Sequence, residues 1–324
     1  MEVLRMITRV DIHHIDETDT HYQISTDEKL EPLRRSISDI GLLCPPLLIK
    51  KKESAYCIVS GFRRIAACKS LHLDTIEVHE LPPDLPATRL ALMAISENAL
   101  SRPLNPIETA RGLRLLFNAT DNEFAFRNAV QKSSLPFHPG LNHKLMSLLD
   151  LPREVQDAVI SGDLPIAVAT EFIRFGVPAA TRFSEIFSSL KMSLNKQREV
   201  MTLCEEIALR EDLPVLQVLQ EPGFLDIFDN PDLDRNQKSR ALRVYLRQRR
   251  YPSLSYAEAA FTKIVKRLKL GEGLQLQPPK DFEGSSFSLC LKFETMDQLA
   301  ARATEVNRIQ NDPQLADLLS NSCI

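Results

Sequence analysis

The spacing of apolar and polar residues divides the chain into a first part of mixed strands and helices and a longer part dominated by helices. Four short apolar or alternating runs predict strands in the first part. They are LRMITRVDI (4–12), PPLLIKK (45–51), AYCIVSG (55–61) and TIEVHEL (75–81). Between the first two, apolar residues from Leu30 to Ile40 recur at helical spacing, and Gly41 stands where a C-cap glycine would. The first part is therefore expected to be a small α/β unit.

After residue 86, apolar residues recur every three or four positions, which predicts a nearly continuous series of helices. Breaks are expected at Pro103, Pro106, Pro152 and Gly162, and at the LPFHPG turn (135–140). This middle part is expected to be a helical layer without strands.

Near the C-terminus, LQLQ (274–277) and SFSLCLKF (286–293) alternate apolar and polar residues as half-buried strands do. The predicted fold class is therefore α+β and mostly helical. Three domains are expected: an N-terminal α/β domain (1–86), a helical domain (87–189) and a basic helical and α+β domain (190–324).

Composition narrows the class of protein. The formal net charge of the 324 residues is -3, and no apolar run approaches the ~18 residues of a membrane span. The N-terminus lacks the features of a signal peptide, so a cytoplasmic protein without a membrane partner is expected. The six cysteines form no CxxC pair and the histidines no HExxH-like pattern, which argues against a zinc site.

Charge is concentrated in residues 235–269, which hold eleven basic residues against the single acid Glu258. An excess of this size predicts an anionic partner for the segment. Arg240, Arg243, Arg247 and Arg250 fall on one helical stripe. On the other side, Leu242, Tyr245 and Leu246 are expected to face a core. Two basic helices of this kind could follow a nucleic-acid backbone. The candidate contacts are Arg240, Arg243, Arg247, Arg250, Lys263, Lys266 and Arg267.

The division between these two basic helices can also be predicted. Pro252 is expected to end the first helix, and Ser255 and Glu258 have the spacing of a capping box for the second. The alternative to a nucleic-acid surface is a solvated, charged face beside acidic helices such as EEIALRED (205–212).

A glycine and two arginines follow the strand predicted at 55–61. Gly61 precedes Arg63 and Arg64, which open the helical stretch IAACKSL. A strand, a glycine and a helix N-terminus present free backbone N–H groups to an anion, and two guanidinium groups add forked hydrogen bonds to phosphate oxygens. These residues alone leave two interpretations equally open: a phosphate site, or surface arginines that are solvated or paired with Glu77 or Glu80.

A second polar group follows at the end of a predicted apolar helix. Glu97 and Asn98 offer a carboxylate and an amide oxygen, ligands that suit Mg²⁺ on a triphosphate, so they favour the phosphate site. Asn105 and Glu108 have capping-box spacing around Pro106 and are expected to start the next helix.

Three segments follow one another along the first third of the chain: GLLCPPLLI (41–49), SGFRRIAACKSL (60–71) and ENALSRPLNPIETARGL (97–113). In this order and at these separations they resemble the N-terminal domain of the ParB family of chromosome and plasmid partition proteins. The similarity continues into MSLLDLPREVQDAVISGDLPIAVATEFI (146–173). The resemblance implies a ParB/sulfiredoxin-like α/β domain followed by a helical domain with a helix-turn-helix.

In that family CTP makes the protein close as a clamp on DNA, so the resemblance also implies ligands and partners. These are CTP with Mg²⁺, DNA, a second copy of the chain and a ParA-like ATPase, in a nucleoid-associated setting. Any catalysis would be slow nucleoside triphosphate hydrolysis, with Glu97 helping to position the water. The implied site residues are Gly61, Arg63 and Arg64 on the phosphates, Glu97 and Asn98 on Mg²⁺, and Gly41 and Pro45 near the base.

The chain departs from the family pattern at several positions. Phe62 stands where glutamate is usual, and Leu100 and Ser101 stand where Gln-Arg is usual, with Arg102 one position along. The same fold serves sulfiredoxin and a free-serine kinase, although Phe62 takes the place of the cysteine that sulfiredoxin needs. A phosphoryl-transfer or nuclease enzyme, or an adaptor that has lost nucleotide binding, is therefore the alternative to a DNA clamp.

The region expected to hold the helix-turn-helix, residues 122–151, departs further. FHPGLN occupies the start of the recognition helix, where Pro139 and Gly140 are expected to break it. Acidic residues also outnumber basic ones from Asp121 to Leu190, which disfavours attraction to a phosphate backbone. We expect these helices to persist as a scaffold with sequence reading weakened or lost.

Overall fold

In a computed structural model, the chain forms two compact units, residues 1–191 and 192–324. The structure describes residues 6–27, 29–51, 55–136, 139–284, 286–313 and 315–316. Phe137 and His138 of the predicted turn, and Cys323, lie outside the described residues. The α+β, mostly helical fold class is confirmed.

A five-stranded sheet forms the centre of the N-terminal part. Its strands are β1 Met6–Asp11, β2 Ile15–Asp16, β3 Leu47–Lys50, β4 Tyr56–Ser60 and β5 Thr75–Leu81. They lie in the order β1-β5-β3-β4-β2. The β1–β5 and β3–β4 pairs are antiparallel, whereas β3–β5 and β2–β4 are parallel. Four of these strands match the predicted runs, and β2 is a short addition at the edge.

Two helices complete the core of this sheet: α1 Glu31–Ile40 and α2 Phe62–Ser70. All of β4 is buried, which explains its uninterrupted apolar run. Ile37 of α1 and Ile65 of α2 pack with Ile58 and Val78 of the sheet. These contacts fix the position of the connection from β4 to α2, which contains Gly61.

The first unit continues as a series of helices. They are α3 Ala87–Ser101, α4 Pro106–Asn118, α5 Glu123–Lys132, α6 Pro139–Ser147, α7 Arg153–Ile160, α8 Ile166–Ala169 and α9 Val177–Leu190. The central helix is α4, which contacts α3, α5, α6 and α7. Its predicted capping box, Asn105 with Glu108, is present.

The second unit contains the predicted basic helices. Its elements are α10 Leu194–Glu211, α11 Val215–Gln220, α12 Pro222–Phe228, α13 Arg235–Arg250, α14 Pro252–Leu268, β6 Leu274–Gln277, β7 Ser288–Leu291 and α15 Met296–Gln310. As predicted, Leu242 and Leu246 are fully buried and Tyr245 is half-buried, where α13 meets α10 and α12. The strands β6 and β7 pair antiparallel, as their alternation predicts.

Two expectations about helix starts are wrong. The helix α14 begins at Pro252, because proline suits a first helical position that needs no N–H partner. Ser255 is therefore inside this helix, and its N–H donates to the Tyr251 carbonyl at 2.9 Å. For the same reason α6 begins at Pro139 and is not broken there.

The helices can be compared with the length and apolar character of a membrane-spanning helix. Among the helices of the described ranges, none combines the length and the apolar character needed to cross a bilayer.

Candidate functional site

Gly61 allows the chain to turn directly from β4 into α2. Its φ of 100° lies in the left-handed region, and a Cβ there would stand 2.6 Å from the Cβ of Pro46. No side chain caps α2, and the N–H of Ile65 donates to the Gly61 carbonyl at 3.0 Å. The N–H groups of residues 62–64 precede the helical ladder and are those that a helix N-terminus offers to an anion.

Arg64 crosses from α2 to the end of α3. One terminal nitrogen of its guanidinium donates to the Cys44 carbonyl at 2.8 Å, and the other forms an ion pair with the Glu97 carboxylate. The Arg64 side chain is only 18% exposed. The loop before β3, the start of α2 and the end of α3 are thus joined through one side chain.

Arg63 faces a different segment. It donates to the Lys29 carbonyl at 2.7 Å and lies 3.0 Å from the Asp27 carboxylate. Of the acids suggested by the sequence, Glu77 instead pairs with Arg9 on the sheet edge, at 3.6 Å. The two arginines do pair with carboxylates, but with Asp27 and Glu97, which no short-range pattern identifies.

Glu97 and Asn98 lie in the last turn of α3. The Glu97 oxygen that does not contact Arg64 is buried and has no hydrogen-bond partner among the described residues. The Asn98 amide nitrogen donates to the Ala94 carbonyl at 2.9 Å, so its amide oxygen is the atom suited to a cation. An unsatisfied buried carboxylate oxygen beside an amide fits the ligands that Mg²⁺ takes together with substrate phosphates.

One cavity of about 430 Å³ gathers the main predicted residues, since Gly61, Arg63, Arg64, Glu97 and Asn98 all line it. Pro45 lines an adjoining cavity of about 610 Å³ together with Arg64 and Glu97. Gly41 caps α1 with a φ of 80°, as its position predicts, and is not among the residues lining either cavity. The structure therefore brings together the phosphate and Mg²⁺ candidates, with Pro45 beside them and Gly41 apart.

Phe62 also lines the 430 Å³ cavity. It is half-buried and packs against the core of the sheet. The residue that departs from the family motif thus gives the cavity an apolar wall next to its arginines.

The pair of Arg102 and Glu108 forms a part of the site that the sequence did not reveal. Both terminal nitrogens of Arg102 donate to the Glu108 carboxylate at 2.7 Å, and Arg102 also donates to the Ser25 hydroxyl at 3.2 Å. Glu108 is fully buried and accepts from the N–H of Thr26 at 2.8 Å and of Asn105 at 3.1 Å. Residues 23–25 and Arg102 line the cavity, so Glu108 anchors one of its walls.

The pKa of Glu108 reflects this network. Burial alone would raise it, but the hydrogen bonds from Arg102, Thr26 and Asn105 outweigh burial and lower the pKa to about 2. The carboxylate is therefore ionised throughout the physiological range, and its contacts connect residues that are 82 positions apart. The capping-box spacing indicated Glu108 as a helix cap, but no local pattern could indicate this longer reach.

Most arginines of the predicted basic surface on α13 and α14 are ion-paired with carboxylates of the second unit. Arg243 pairs with Glu199 at 2.6 Å, and Arg250 pairs with Glu206 at 2.6 Å. Arg247 lies 2.8 Å from Glu258, and Arg267 pairs with Asp312. The exposed candidates without an ion pair in the described part of the chain are Arg240, Lys263 and Lys266. The expected acidic neighbour, EEIALRED, supplies Glu206.

The helix-turn-helix candidate offers little positive charge. On α6, Leu141, His143 and Lys144 are exposed, whereas Asn142 is buried. The His143 ring lies 3.4 Å from the Glu123 carboxylate of α5. The helix persists, and within its described side chains Lys144 is the permanently charged cation.

The sheet, the turn at Gly61 into α2 and the two arginines that follow it belong to one small α/β domain. Residues 2–99 match the sequence model of the ParB N-terminal domain. This match confirms, for the first third of the chain, the resemblance to the ParB N-terminal domain that the three motifs predict.

Individual relatives extend the similarity beyond that domain. Chromosome-partitioning protein ParB of Myxococcus xanthus is 29% identical over 242 residues, covering 64% of this chain and 78% of the relative. A nucleoid occlusion protein of Listeria monocytogenes is 26% identical over 200 residues, covering 59% and 67%. Among solved structures, C-terminally truncated ParB from Caulobacter crescentus complexed with CTP-gamma-S has a TM-score of 0.27 and 24% identity, covering 56% of this chain and 98% of that chain.

Proposed function

We propose that this chain is a nucleotide-regulated DNA-binding protein that acts in chromosome or plasmid partition, with CTP and Mg²⁺ as its ligands. One observation carries the proposal: Gly61, Arg63, Arg64, Glu97 and Asn98 line a single cavity at the uncapped start of α2. The relatives named for chromosome partitioning and nucleoid occlusion support the biological setting. The proposal includes a nucleoid-associated homodimer that cooperates with a ParA-like ATPase.

The residues of the cavity have distinct tasks in this proposal. The N–H groups of residues 62–64 and the guanidinium groups of Arg63 and Arg64 bind phosphate oxygens. Glu97 and Asn98 hold Mg²⁺, which neutralises charge on the phosphates when bound. Glu97 is also proposed to orient a water for slow hydrolysis. The loop ending at Pro45 lies beside the phosphate residues and is proposed to contact the base.

We propose that DNA contacts the groove between α13 and α14. Lys263 and Lys266 line this groove, which has a volume of about 520 Å³, together with Arg247, which is ion-paired there with Glu258; Arg240 is exposed on α13. Arg243, Arg250 and Arg267 are ion-paired and contribute to the fold more than to the contact. With only Lys144 as a permanent cation on the exposed face of α6, the α13–α14 groove is the better backbone-binding surface.

The experiment is an equilibrium binding screen of CTP, ATP, GTP and UTP against the full chain with Mg²⁺, with and without duplex DNA. Wild-type protein is expected to bind CTP most tightly, and Arg63→Ala is expected to weaken binding by about a hundredfold, because a charged ligand loses two hydrogen bonds. Arg9→Ala, which removes an exposed arginine paired with Glu77 outside the cavity, is the matched control and should bind as wild type.

The other outcomes of this screen identify the alternatives. An unchanged dissociation constant for Arg63→Ala would refute the phosphate assignment. Turnover of ATP with a small acceptor, indifferent to DNA, would favour a phosphoryl-transfer enzyme. Failure of the pure protein to bind any nucleotide or DNA would favour an adaptor.

A further inference from the structure

A further cavity of the first unit lies between α4 and the segment that connects β2 with α1. Its volume is about 330 Å³, at the lower end of the range of ~300–1,000 Å³ that is usual for small-molecule sites. Gln23 lines both this cavity and the one at Gly61. The size of the cavity therefore suits a small ligand.

Helical spacing brings polar side chains of α4 to this cavity. Arg111, Arg114 and Asn118 follow one another at intervals of three and four positions, so they share one face of the helix, and all three line the cavity. Two guanidinium groups one turn apart repel each other, and an anion bound between them removes that repulsion. This wall thus presents two permanent positive charges and an amide to the same space.

Backbone carbonyls hold both arginines in position. One terminal nitrogen of Arg111 donates to the Ser25 carbonyl at 3.0 Å, and Arg114 donates to the Met146 carbonyl at 3.0 Å. A carbonyl orients a guanidinium group without neutralising its charge. Side chains that are already ordered lose less conformational entropy when a ligand binds, so these contacts prepare the wall for an anion.

Among the described residues that line this cavity, none is acidic. Two carboxylates contact the lining residues without lining the cavity themselves. Asp150 lies 3.3 Å from Arg114, and Asp19 accepts from the N–H of His21 at 3.0 Å. The Asp150 side chain is 60% exposed, so solvent screens this pair, and Asp19 is already ion-paired with Lys51. Positive charge therefore prevails at the cavity.

The segment before α1 supplies neutral hydrogen-bonding groups from the other wall. Thr20, His21 and Gln23 contribute a hydroxyl, an imidazole and an amide. Groups that converge from two walls suit an anion whose oxygens point in several directions, whereas a planar carboxylate is satisfied by one forked guanidinium. The arrangement favours a tetrahedral phosphate over a carboxylate.

We propose that this cavity is a second phosphate site, which binds free phosphate or a small phosphate monoester. The inference goes beyond the proposed function, because none of its described lining residues is among those assigned above to CTP, Mg²⁺ or DNA. Arg111, Arg114 and Asn118 bind the phosphate oxygens. Through the Ser25 carbonyl, Arg111 also connects the site to a wall of the cavity at Gly61.

The test is calorimetric titration of the full chain with inorganic phosphate and with glycerol 3-phosphate at constant ionic strength. Arg114→Gln should weaken the binding of both by about tenfold, the factor for one lost charge-assisted hydrogen bond. Asn118→Leu changes an exposed residue and should weaken binding about fivefold, the factor for one neutral hydrogen bond. Circular dichroism checks the folding of both variants.

The matched control is Arg127→Gln on α5. Arg127 is an exposed arginine that pairs with Glu123 at 3.0 Å and is not among the residues lining the cavity. Its substitution removes the same charge from the same unit, so this variant should bind phosphate as wild type does. A loss equal to that of Arg114→Gln would show that only the overall charge matters and would refute the site.

The same titration of Arg63→Ala separates this cavity from the one at Gly61. Phosphate binding that survives Arg63→Ala and weakens in Arg114→Gln supports the second site. Binding that is lost in Arg63→Ala but unchanged in Arg114→Gln and Asn118→Leu would refute it. Absence of phosphate binding by wild type would also refute it, whatever the affinity for CTP. If Arg114→Gln weakens only the binding of duplex DNA, the phosphate belongs to a nucleic-acid backbone and the small-ligand assignment is wrong.

Discussion

At the scale of single residues, the site depends on side chains whose partners lie far away in sequence. Thr26 and Glu108 are 82 positions apart, yet their hydrogen bond of 2.8 Å fixes the wall of the cavity. The turn from strand to helix at Gly61 could be predicted from residue order, because a strand, a glycine and a helix start form a local unit. The same order left open whether Arg63 and Arg64 bind phosphate or lie at the surface. Their actual partners, Asp27 and Glu97, could not be predicted, since they depend on how distant segments meet.

The network of Glu108 predicts a specific dependence of stability on pH. Its pKa falls from the usual value near 4.5 to about 2, so the contribution to stability is complete above pH 4.5 and is lost as the pH falls towards 2. A shift of this size corresponds to about 3 kcal/mol. Glu108→Gln should therefore be less stable than wild type by about 3 kcal/mol at pH 7.

Urea unfolding followed by circular dichroism measures this difference, since the chain has no tryptophan for fluorescence. The stability gap between wild type and Glu108→Gln should shrink steadily between pH 4.5 and pH 2. A gap that stays constant over this range would show that the carboxylate charge is not what anchors the wall.

At the scale of elements, apolar patterns predict strands and helices well because each pattern reflects which positions of the element are buried. The run of β4 is wholly buried, and the alternation of β6 and β7 matches an antiparallel pair. The two-residue β2 is too short to produce a pattern. The predicted start of α14 is wrong because the capping-box spacing of Ser255 and Glu258 is coincidental. The helix begins at Pro252 instead.

The packing of α10 beside α13 explains why the charge of the α13 surface could be predicted only in part. Helical spacing places Arg243, Arg247 and Arg250 together, but it contains no information about the helix that packs beside them. Glu199 and Glu206 of α10 pair with Arg243 and Arg250 and neutralise part of the stripe.

DNA-binding measurements can distinguish the unpaired lysines of α14 from the ion-paired arginines of α13. Lys263→Gln combined with Lys266→Gln should weaken binding to all duplex sequences and reduce the slope of log affinity against log salt by about 2, one unit for each lost phosphate contact. The control, Arg243→Gln with Arg250→Gln, removes the same formal charge but should change the slope less, because those arginines already have partners. Equal slopes in the two double variants would indicate that Lys263 and Lys266 belong to a solvated, charged face and do not contact DNA.

At the scale of the whole molecule, residues 2–99 match the sequence model of the ParB N-terminal domain, and the basic helices lie in the second compact unit. The proposed function requires that the state of the nucleotide site changes how the chain binds DNA. Three sequence motifs predict the resemblance that the match over residues 2–99 confirms, although Phe62 within one of them departs from the family pattern.

The most direct test of the central claim is the affinity of the full chain for a pool of labelled duplexes, measured by fluorescence anisotropy with and without CTP and Mg²⁺. We expect CTP with Mg²⁺ to change the dissociation constant for DNA by about tenfold or more, corresponding to a coupling free energy of about 1.4 kcal/mol. Arg63→Ala should abolish this effect while keeping nucleotide-free DNA binding. A DNA affinity that is the same with and without CTP, in a protein shown to bind both ligands, would contradict nucleotide-regulated DNA binding.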